Sequence, residues 1–171
     1  TVEAWSDSLN IRGDIWFVTD ESGHYRLEGL PQADDYVLKV WPKEDSLYAF
    51  SVKEGISVPS DPQVIEIPPG LSINGTVTDE STGQAIRAAR IIAKENYFTG
   101  QAMSDKDGNY TITNVPEEGT YELSAAADNY VGQRKTDQFP GTGNDFALIP
   151  SGSLTGTVKD KVTGELLAGV S

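Results

Sequence analysis

The chain has 171 residues, of which 26 are Asp or Glu and 13 are Lys or Arg, so its formal net charge is −13. No basic patch interrupts this acidic composition, which argues against binding of nucleic acid through phosphate contacts. Cysteine is absent, which excludes disulfides, thiolate nucleophiles and cysteine-based zinc sites. No apolar run approaches the roughly 18 residues of a membrane-spanning helix. An acidic surface of this kind fits a protein in an extracellular setting.

Residues 1–70 show the pattern of short strands. Tyr25 and Leu27 alternate with polar neighbours, and so do Tyr36, Leu38 and Val40, which predicts two half-buried strands. Turn residues interrupt the alternation every eight to twelve residues or so, as in an all-β sandwich. The unit ends on Ile-Pro-Pro-Gly (67–70). Because proline fixes φ and removes a donor, we expect a stiff exit into the next unit.

Residues 71–151 continue the same pattern over a complete unit. The sequence predicts seven strands here, at about 72–78, 89–94, 101–104, 109–114, 121–127, 130–136 and 144–148. A second proline-containing exit, Ile-Pro-Ser-Gly (149–152), follows the last of them. These features favour a rigid, end-to-end arrangement of sandwiches.

The two ends of the chain repeat parts of the middle. Residues 153–164 restate residues 72–83, and residues 17–31 restate residues 102–116. A repeat with a period of tens of residues is typical of an array of similar units. The sequence therefore predicts a first unit (1–70) that lacks its opening strand, a complete middle unit (71–151) and a terminal segment (152–171). That terminal segment is the opening strand of a further sandwich.

Four motifs of the middle unit together carry a family resemblance. They are G-T-V-x-D-x-x-T-G (75–83), S-D-x-D-G-x-Y (104–110), N-V-P (114–116) and G-T-Y-x-L (119–123). This set resembles the carboxypeptidase regulatory-like domain family of transthyretin-like, or prealbumin-like, β-sandwiches. The first unit matches through the residues Asp20, Gly23, Tyr25, Leu30, Pro31, Tyr36 and Leu38. It departs at Asp34-Asp35, where the middle unit has Gly119-Thr120.

The resemblance implies an all-β fold of tandem seven-stranded transthyretin-like β-sandwiches arranged end to end. Domains of this family usually act as accessory or spacer modules, so it implies a fold far more than an activity. The residues agree, because the only histidine is His24, and neither a zinc site nor a Ser-His-Asp triad can be assembled around it. We therefore expect no catalytic residues and no enzymatic activity.

Two kinds of minor site remain open. Asp105, Asp107 and Asn109 resemble the start of a calcium loop, although the bidentate Glu of such loops is lacking; a side-chain-capped hairpin turn is favoured, and no other cofactor is implied. Asn74 and Asn109 begin Asn-x-Thr sequons and are glycosylation candidates. Asn109 is the better-exposed candidate of the two.

All three tryptophans, Trp5, Trp16 and Trp41, lie in the first unit. Flat aromatic rings can stack on sugars, but the positions of Trp16 and Trp41 beside core strands favour packing. A coplanar pair of exposed rings would favour a sugar-binding platform instead.

Three functions follow as hypotheses. The first is a structural segment of an extracellular filament or surface rod. The second is a carbohydrate-binding or adhesive module, and the third is an accessory domain of a larger secreted enzyme. In the first, copies of the chain associate head to tail, and no nucleic acid or membrane span is involved.

The ends suggest how such a filament is joined. Residue 171 followed by residue 1 continues the alignment with residues 72–94 without a gap, so that Ala4 falls opposite Lys94. The chain is then either one period of a longer covalent array or a subunit that lends a strand to its neighbour; the alternative is that its two ends are arbitrary boundaries. The predicted inter-subunit strand contains the residues Ser153, Leu154, Thr155, Gly156, Thr157 and Val158.

Overall fold

The computed structural model describes residues 1–44 and 46–170, and these residues form strands and loops without a helix. The strands are, in chain order, β1 (Val2–Ser6), β2 (Ile11–Phe17), β3 (Ala33–Val40), β4 (Ser51–Val58), β5 (Leu71–Asp79), β6 (Arg90–Glu95), β7 (Phe98–Met103), β8 (Asn109–Val115), β9 (Tyr121–Ala126), β10 (Tyr130–Val131), β11 (Gln133–Gln138) and β12 (Phe146–Pro150). The all-β fold class expected from the alternating pattern is confirmed.

The middle unit is a sandwich of two four-stranded sheets. One sheet has the order β10-β12-β5-β8, and the other has the order β11-β9-β6-β7. Alternate side chains of both sheets are buried, and Ile73 of β5, Ile112 of β8 and Leu123 of β9 belong to one apolar cluster. Each such burial contributes about 1.5–3 kcal/mol, so this double layer is the main core of the chain.

The predicted strands of the middle unit overlap the observed ones, with one difference. The segment 130–136 is two strands, because β10 pairs with β12 whereas β11 pairs with β9. The chain therefore passes from one sheet to the other at Gly132.

The first unit forms a single antiparallel sheet of four strands, in the order β2-β1-β3-β4. This sheet corresponds to β7-β6-β9-β11, because Ala4 pairs with Leu38 as Ala93 pairs with Leu123. The strand predicted from Tyr36, Leu38 and Val40 is present as β3.

Within residues 1–44 and 46–70, the second sheet of the sandwich has no strands. In the middle unit β5 lies at the centre of that sheet, parallel to β12 and antiparallel to β8. Residues 24–30 and 62–67, the counterparts of β8 and β12, lie outside strands. The prediction of a strand around Tyr25 and Leu27 is thus wrong for this chain alone. The described residues of the first unit form four strands, rather than the six that remain when a seven-stranded sandwich lacks its opening strand. The physical reason is that a strand needs a neighbouring strand as the partner for its backbone hydrogen bonds. Residues 24–30 and 62–67 form no backbone hydrogen bonds with each other.

Side-chain hydrogen bonds recur in both units. The Tyr36 hydroxyl donates to the Pro31 carbonyl at 3.0 Å, and the Tyr121 hydroxyl donates to the Pro116 carbonyl at 2.8 Å. The repeated motifs therefore build the same local geometry even where the sheets differ.

An aromatic row joins the two units. The ring centroids of Trp41 and Phe50 are 4.3 Å apart, and Phe50 lies 5.8 Å from Phe98, which meets Tyr121 edge-on at 5.7 Å. Phe50 is buried in the apolar cluster of the middle unit. In addition, the Asn114 carbonyl accepts a bond from the Phe50 N–H at 2.9 Å. The connection between the units is therefore a packed contact and not only a proline-containing linker.

Candidate functional site

A long apolar groove lies on the uncovered face of the first unit. Its volume is about 980 Å³, and its floor includes Tyr36, Leu38 and Val40 of β3. Residues 23–30 form one wall and residues 58–67 the other. This is the side on which the middle unit carries its second sheet, so the groove is an open sandwich core.

Apolar side chains from both walls turn toward this floor. Tyr25, Leu27 and Leu30 come from one wall and Ile65 from the other, and all are partly buried against the cluster around Tyr36. Burial raises the pKa of the Tyr25 hydroxyl above its usual range, which keeps it a neutral donor. The walls therefore hold a preformed position for an apolar occupant.

One hydrogen bond spans the groove from wall to wall. The Tyr25 hydroxyl donates to the Gln63 carbonyl at 3.0 Å. Its counterpart in the middle unit runs from the Tyr110 hydroxyl to the Asn144 carbonyl at 2.5 Å. This pairing shows that Gln63 corresponds to Asn144. Below we call the tyrosine hydroxyl and its acceptor carbonyl the tyrosine clamp.

In the middle unit the strand β5 passes through the tyrosine clamp at Gly75. A Cβ added to Gly75 would lie 2.6 Å from the Asn144 carbonyl carbon and 2.9 Å from the Tyr110 ring. Real Cβ atoms are essentially never this close to another heavy atom. Only glycine therefore allows a strand to lie beneath the clamp.

The terminal segment has the opposite surface character. Leu154 is 101% exposed and Val158 is 54% exposed, whereas their counterparts Ile73 and Val77 are both at 0%. Residues 152–170 contain no strand. The segment expected to form an opening strand thus presents its apolar side chains to solvent in this chain.

The turn near the end of the terminal segment has the same hydrogen bonds as the turn that follows β5. Asp160 Oδ1 accepts bonds from the N–H groups of Val162 and Thr163, both at 2.7 Å. Asp79 Oδ1 accepts the corresponding two bonds, at 2.8 Å each. The bond from the Thr163 N–H lowers the pKa of the Asp160 carboxyl below its usual range. The segment therefore already has the turn that follows an opening strand.

The join between the ends differs by one residue from the gapless alignment. The pairing of Ala4 with Leu38 and of Ala93 with Leu123 makes Ala4 the counterpart of Ala93, not of Lys94. The expected gapless join is wrong, because strand β1 buries Ala4 completely and that position corresponds to a core position. If the two ends are joined as predicted, one additional residue therefore lies between them relative to the middle unit.

The tryptophans do not form a coplanar exposed pair. Trp16 is 60% exposed, and Trp41 packs on Phe50. The Trp5 ring is covered by the Lys39 ammonium, 3.4 Å from its centroid. Desolvation lowers the pKa of this buried lysine. The arrangement used for sugar stacking is thus not assembled from these three rings.

The calcium candidate lies on an exposed turn. Asp105 Oδ1 accepts bonds from the backbone N–H groups of Asp107 and Asn109, both at 2.9 Å. These bonds, chiefly that from Asn109, hold the pKa of the Asp105 carboxyl below its usual range. Within residues 1–44 and 46–170, no group of three or more His, Asp or Glu side chains is placed to hold a metal ion. Calcium binding by Asp105, Asp107 and Asn109 stays a prediction.

The two glycosylation candidates differ in exposure. Asn109 is exposed at the start of β8. Asn74 lies in β5, where its side chain accepts a hydrogen bond from the Thr111 hydroxyl at 2.8 Å. Asn109 is therefore the more accessible of the two predicted acceptors.

His24 is the only histidine, and it occupies an exposed turn. Its ring nitrogen lies 3.6 Å from the Asp20 carboxylate, which in turn accepts the His24 backbone N–H at 2.9 Å. This bond is the main cause that lowers the pKa of Asp20. The pair therefore stabilises a turn, as Asp105 does in the middle unit. Among the described residues no helix is long and apolar enough to cross a membrane.

The groove wall formed by residues 58–67 was not predicted from the sequence. Gln63, Ile65 and Ile67 match Asn144, Phe146 and Leu148 in the structure, but the shared Ile-Pro motif suggests an alignment that is displaced by one residue. The alternation of Ile65 and Ile67 with polar neighbours is the signal that could have identified this wall.

Comparisons with known proteins bear mainly on the middle unit. Residues 72–148 match the family described as carboxypeptidase regulatory-like domain. No curated protein matches the sequence.

Three solved structures are among those similar to the chain. A "putative carbohydrate binding protein" from Bacteroides uniformis is 24% identical, with a TM-score of 0.39, over 46% of this chain and 41% of that one. The shaft pilin SpaA from Lactobacillus rhamnosus GG is 14% identical, with a TM-score of 0.39, over 81% and 70%. The major pilin subunit BcpA of Bacillus cereus is 18% identical, with a TM-score of 0.37, over 72% and 41%. The chain thus spans less than half the length of the first and third of these proteins. At these TM-scores the similarities carry no conclusion about function.

Proposed function

We propose that this chain, whose residues 72–148 match the carboxypeptidase regulatory-like domain family, is a structural segment of an extracellular filament or surface rod. In this proposal β-sandwiches follow one another head to tail. The observation that carries it is the match between an open apolar groove in the first unit and an exposed apolar segment after the middle unit. The groove lacks a central strand, and the segment lacks a surface that covers its apolar side chains.

The contact between the two units supports a rod rather than a flexible string. Phe50 of the first unit is buried in the core cluster of the middle unit. Lys39 adds to the contact, because its ammonium lies 4.8 Å from the centroid of the Tyr97 ring in the β6–β7 hairpin. Packing of this kind restricts the angle between two units, and a repeated angle gives an extended assembly.

The proposed contact is head-to-tail, because it joins two different surfaces, the terminal segment of one unit and the groove of the next. A heterologous contact that does not close into a ring produces a filament. The same contact arises if the opening strand comes from a separate copy or from a covalently preceding repeat. In both routes the groove of a first unit receives a strand with the pattern of residues 153–158.

The other hypotheses find less support in the side chains. A sugar-binding platform requires neighbouring exposed rings, and only Trp16 among the three tryptophans has that exposure. His24, the only histidine, lies beside Asp20 in an exposed turn, which gives no support to the hypothesis of an accessory enzyme domain. The acidic, cysteine-free composition agrees with an extracellular or cell-surface location.

Sedimentation velocity and negative-stain electron microscopy of the purified chain test the proposal. We expect elongated oligomers whose length grows with protein concentration. A variant with a second copy of residues 153–171 placed ahead of Thr1 reproduces the covalent route within one chain. It should close its own groove, stay monomeric and unfold at a higher temperature. If the unaltered chain stays monomeric and the added copy gives no stabilisation, the proposal is contradicted.

A further inference from the structure

We propose that the groove of the first unit takes residues 153–167 of a second copy as its central strand, in one register that Gly156 determines. This inference rests on the proposed head-to-tail function and adds the occupant, its direction and its register. In that register Gly156 lies beneath the tyrosine clamp formed by Tyr25 and Gln63.

The direction and pairing follow from the strand that fills the same place in the middle unit. There Gly75 pairs with Tyr110 and Ile73 with Ile112, antiparallel, while β12 runs parallel on the other side. Transfer to the first unit places Gly156 opposite Tyr25 and Leu154 opposite Leu27. The inserted strand would run antiparallel to residues 24–30 and parallel to residues 62–67, and it would supply both with backbone hydrogen bonds.

The side chains of the segment fit the groove in this register and in no neighbouring one. Leu154 and Val158 take the inward positions that Ile73 and Val77 occupy at 0% exposure. A shift by one residue would turn the threonines inward and both apolar side chains outward, because successive strand residues face opposite sides. Beyond the turn, the Leu167 N–H bonds to the Val158 carbonyl at 2.9 Å, which matches the bond between Ile86 and Val77.

The clamp adds a steric condition to the hydrophobic one. A Cβ on Gly156 would meet nothing within 4 Å in the chain itself. Beneath a clamp such as the one over Gly75, the same Cβ would overlap a carbonyl and a tyrosine ring. Glycine at position 156 is therefore needed only when the segment is inserted.

The segment of the same molecule cannot reach this groove. Strand β5 starts beside the first unit, where the Gly70 N–H bonds to the Leu47 carbonyl at 2.8 Å, and it runs away for nine residues, about 30 Å. Strand β12 is parallel to it, with Leu148 opposite Asp79, so the chain leaves the sandwich at the far end. The three steps from Pro150 to Ser153 span only about 10 Å. The terminal segment of the same molecule is therefore excluded as the occupant, and the segment of a second copy is the one that fits.

The charges of the two surfaces are compatible with this contact. Residues 1–70 carry 13 acidic and 5 basic side chains, whereas the terminal segment carries two of each. The two basic residues are Lys159 and Lys161. The segment is thus the least acidic part of the chain, which lowers the repulsion between copies.

The test compares two glycine variants of the full chain by sedimentation velocity. Gly156→Val places a side chain beneath the clamp, and Gly152→Val is its matched control, since a Cβ on Gly152 also meets nothing within 4 Å and its counterpart, Leu71, is a side chain that is accommodated there. We expect Gly156→Val to weaken association about 10-fold to 100-fold, as for overpacking of a core. Gly152→Val should associate as the unaltered chain does. Equal association of both variants would overturn the inference.

A mixing experiment separates this inference from the broader function. Ile65→Asp puts a charge in the groove wall and should prevent that copy from accepting a strand, while its own terminal segment stays intact. The protein concentration is chosen so that the unaltered chain associates and a contact weakened about 10-fold to 100-fold does not. Gly156→Val alone and Ile65→Asp alone should then be monomers, and their mixture should give a dimer and nothing longer. If both variants still form filaments alone, the groove and segment are not the contact, although the rod proposal survives. If the unaltered chain does not associate either, and gains no stability from an added copy of residues 153–171, both proposals fail.

Discussion

The first and middle units carry the same motifs, yet only the middle unit has two sheets. Both hold the tyrosine clamp and the tyrosine bond to the proline carbonyl. The described residues of the first unit lack a counterpart of β5, which lies between two other strands of its sheet in the middle unit. Where no such strand is present, its two neighbours are not strands either. Turns and clamps are thus local properties of the sequence, whereas a sheet depends on its central strand.

The largest expected effect distinguishes the closed core from the open one. Leu123→Ala should lower the free energy of unfolding by about 2–5 kcal/mol, because Leu123 is fully buried and its truncation leaves a cavity. Leu38→Ala should cost less in the unassociated chain, because Leu38 forms the floor of the groove. Urea denaturation at low protein concentration measures both. Equal costs would show that the first unit is already closed.

Hydrogen exchange sharpens the same comparison at the backbone. Amides of residues 109–115 should be strongly protected, because β8 pairs with β5. Amides of residues 24–30 should exchange at least about 100-fold faster in dilute protein, since exposed backbone groups open at low cost. Mass spectrometry of peptides from both segments measures the difference. Protection of 24–30 that does not change with protein concentration would contradict the account.

Acid should affect the turn after the opening strand through Asp79. The Thr82 N–H is the main cause that holds the pKa of Asp79 below its usual value of 3.8, with the Tyr130 hydroxyl contributing. A lowered folded-state pKa means that the contribution is complete above about pH 4 and is lost as the pH falls further. Asp79→Asn should therefore flatten the decline of melting temperature below pH 4. An unchanged slope would show that these bonds do not favour the charged form.

The smallest expected effect concerns the exposed tryptophan. Trp16→Ala should change the stability of the chain by no more than about 0.5 kcal/mol, because Trp16 is largely exposed. Trp41→Ala should cost more, since Trp41 packs on Phe50 at the contact between the units. Thermal denaturation of both variants checks the order. If Trp16→Ala were the more costly change, Trp41 would not stabilise the contact between the two units, and the rod proposal would lose that support.

Much of the architecture could be predicted from local patterns. Alternation identified β3 through Tyr36 and Leu38 and located the strands of the middle unit, because side-chain burial in a sheet has a period of two. It did not reveal that Tyr25 and Leu27 lie outside a strand, since strand formation there requires a partner that is distant in sequence. It also could not show that the segment 130–136 belongs to two sheets.

The site was predictable only in part for the same reason. The repeat identified Gly156 and its neighbours as an opening strand without giving the reason for the glycine. That reason is the clamp between Tyr25 and Gln63, two residues that are far apart in the sequence and meet only through the fold. The offset of one residue at Ala4 likewise required the pairing of β1 with β3.

A cysteine cross-link tests the central claim most directly, because the chain has no cysteine of its own. In the middle unit Asn74 lies opposite Thr111, so Thr155 of one copy is expected to lie opposite Arg26 of the next. Opposite residues of antiparallel strands have Cα atoms about 4.5–5.5 Å apart, within the range that a disulfide spans.

The measurement is gel electrophoresis after oxidation of the double variant Thr155→Cys with Arg26→Cys. We predict a ladder of covalent oligomers, and little or none for the control Thr155→Cys with His24→Cys, which is two positions out of register. A ladder of equal strength in both, or a disulfide formed only within single chains, would contradict the insertion of the terminal segment into a neighbouring first unit.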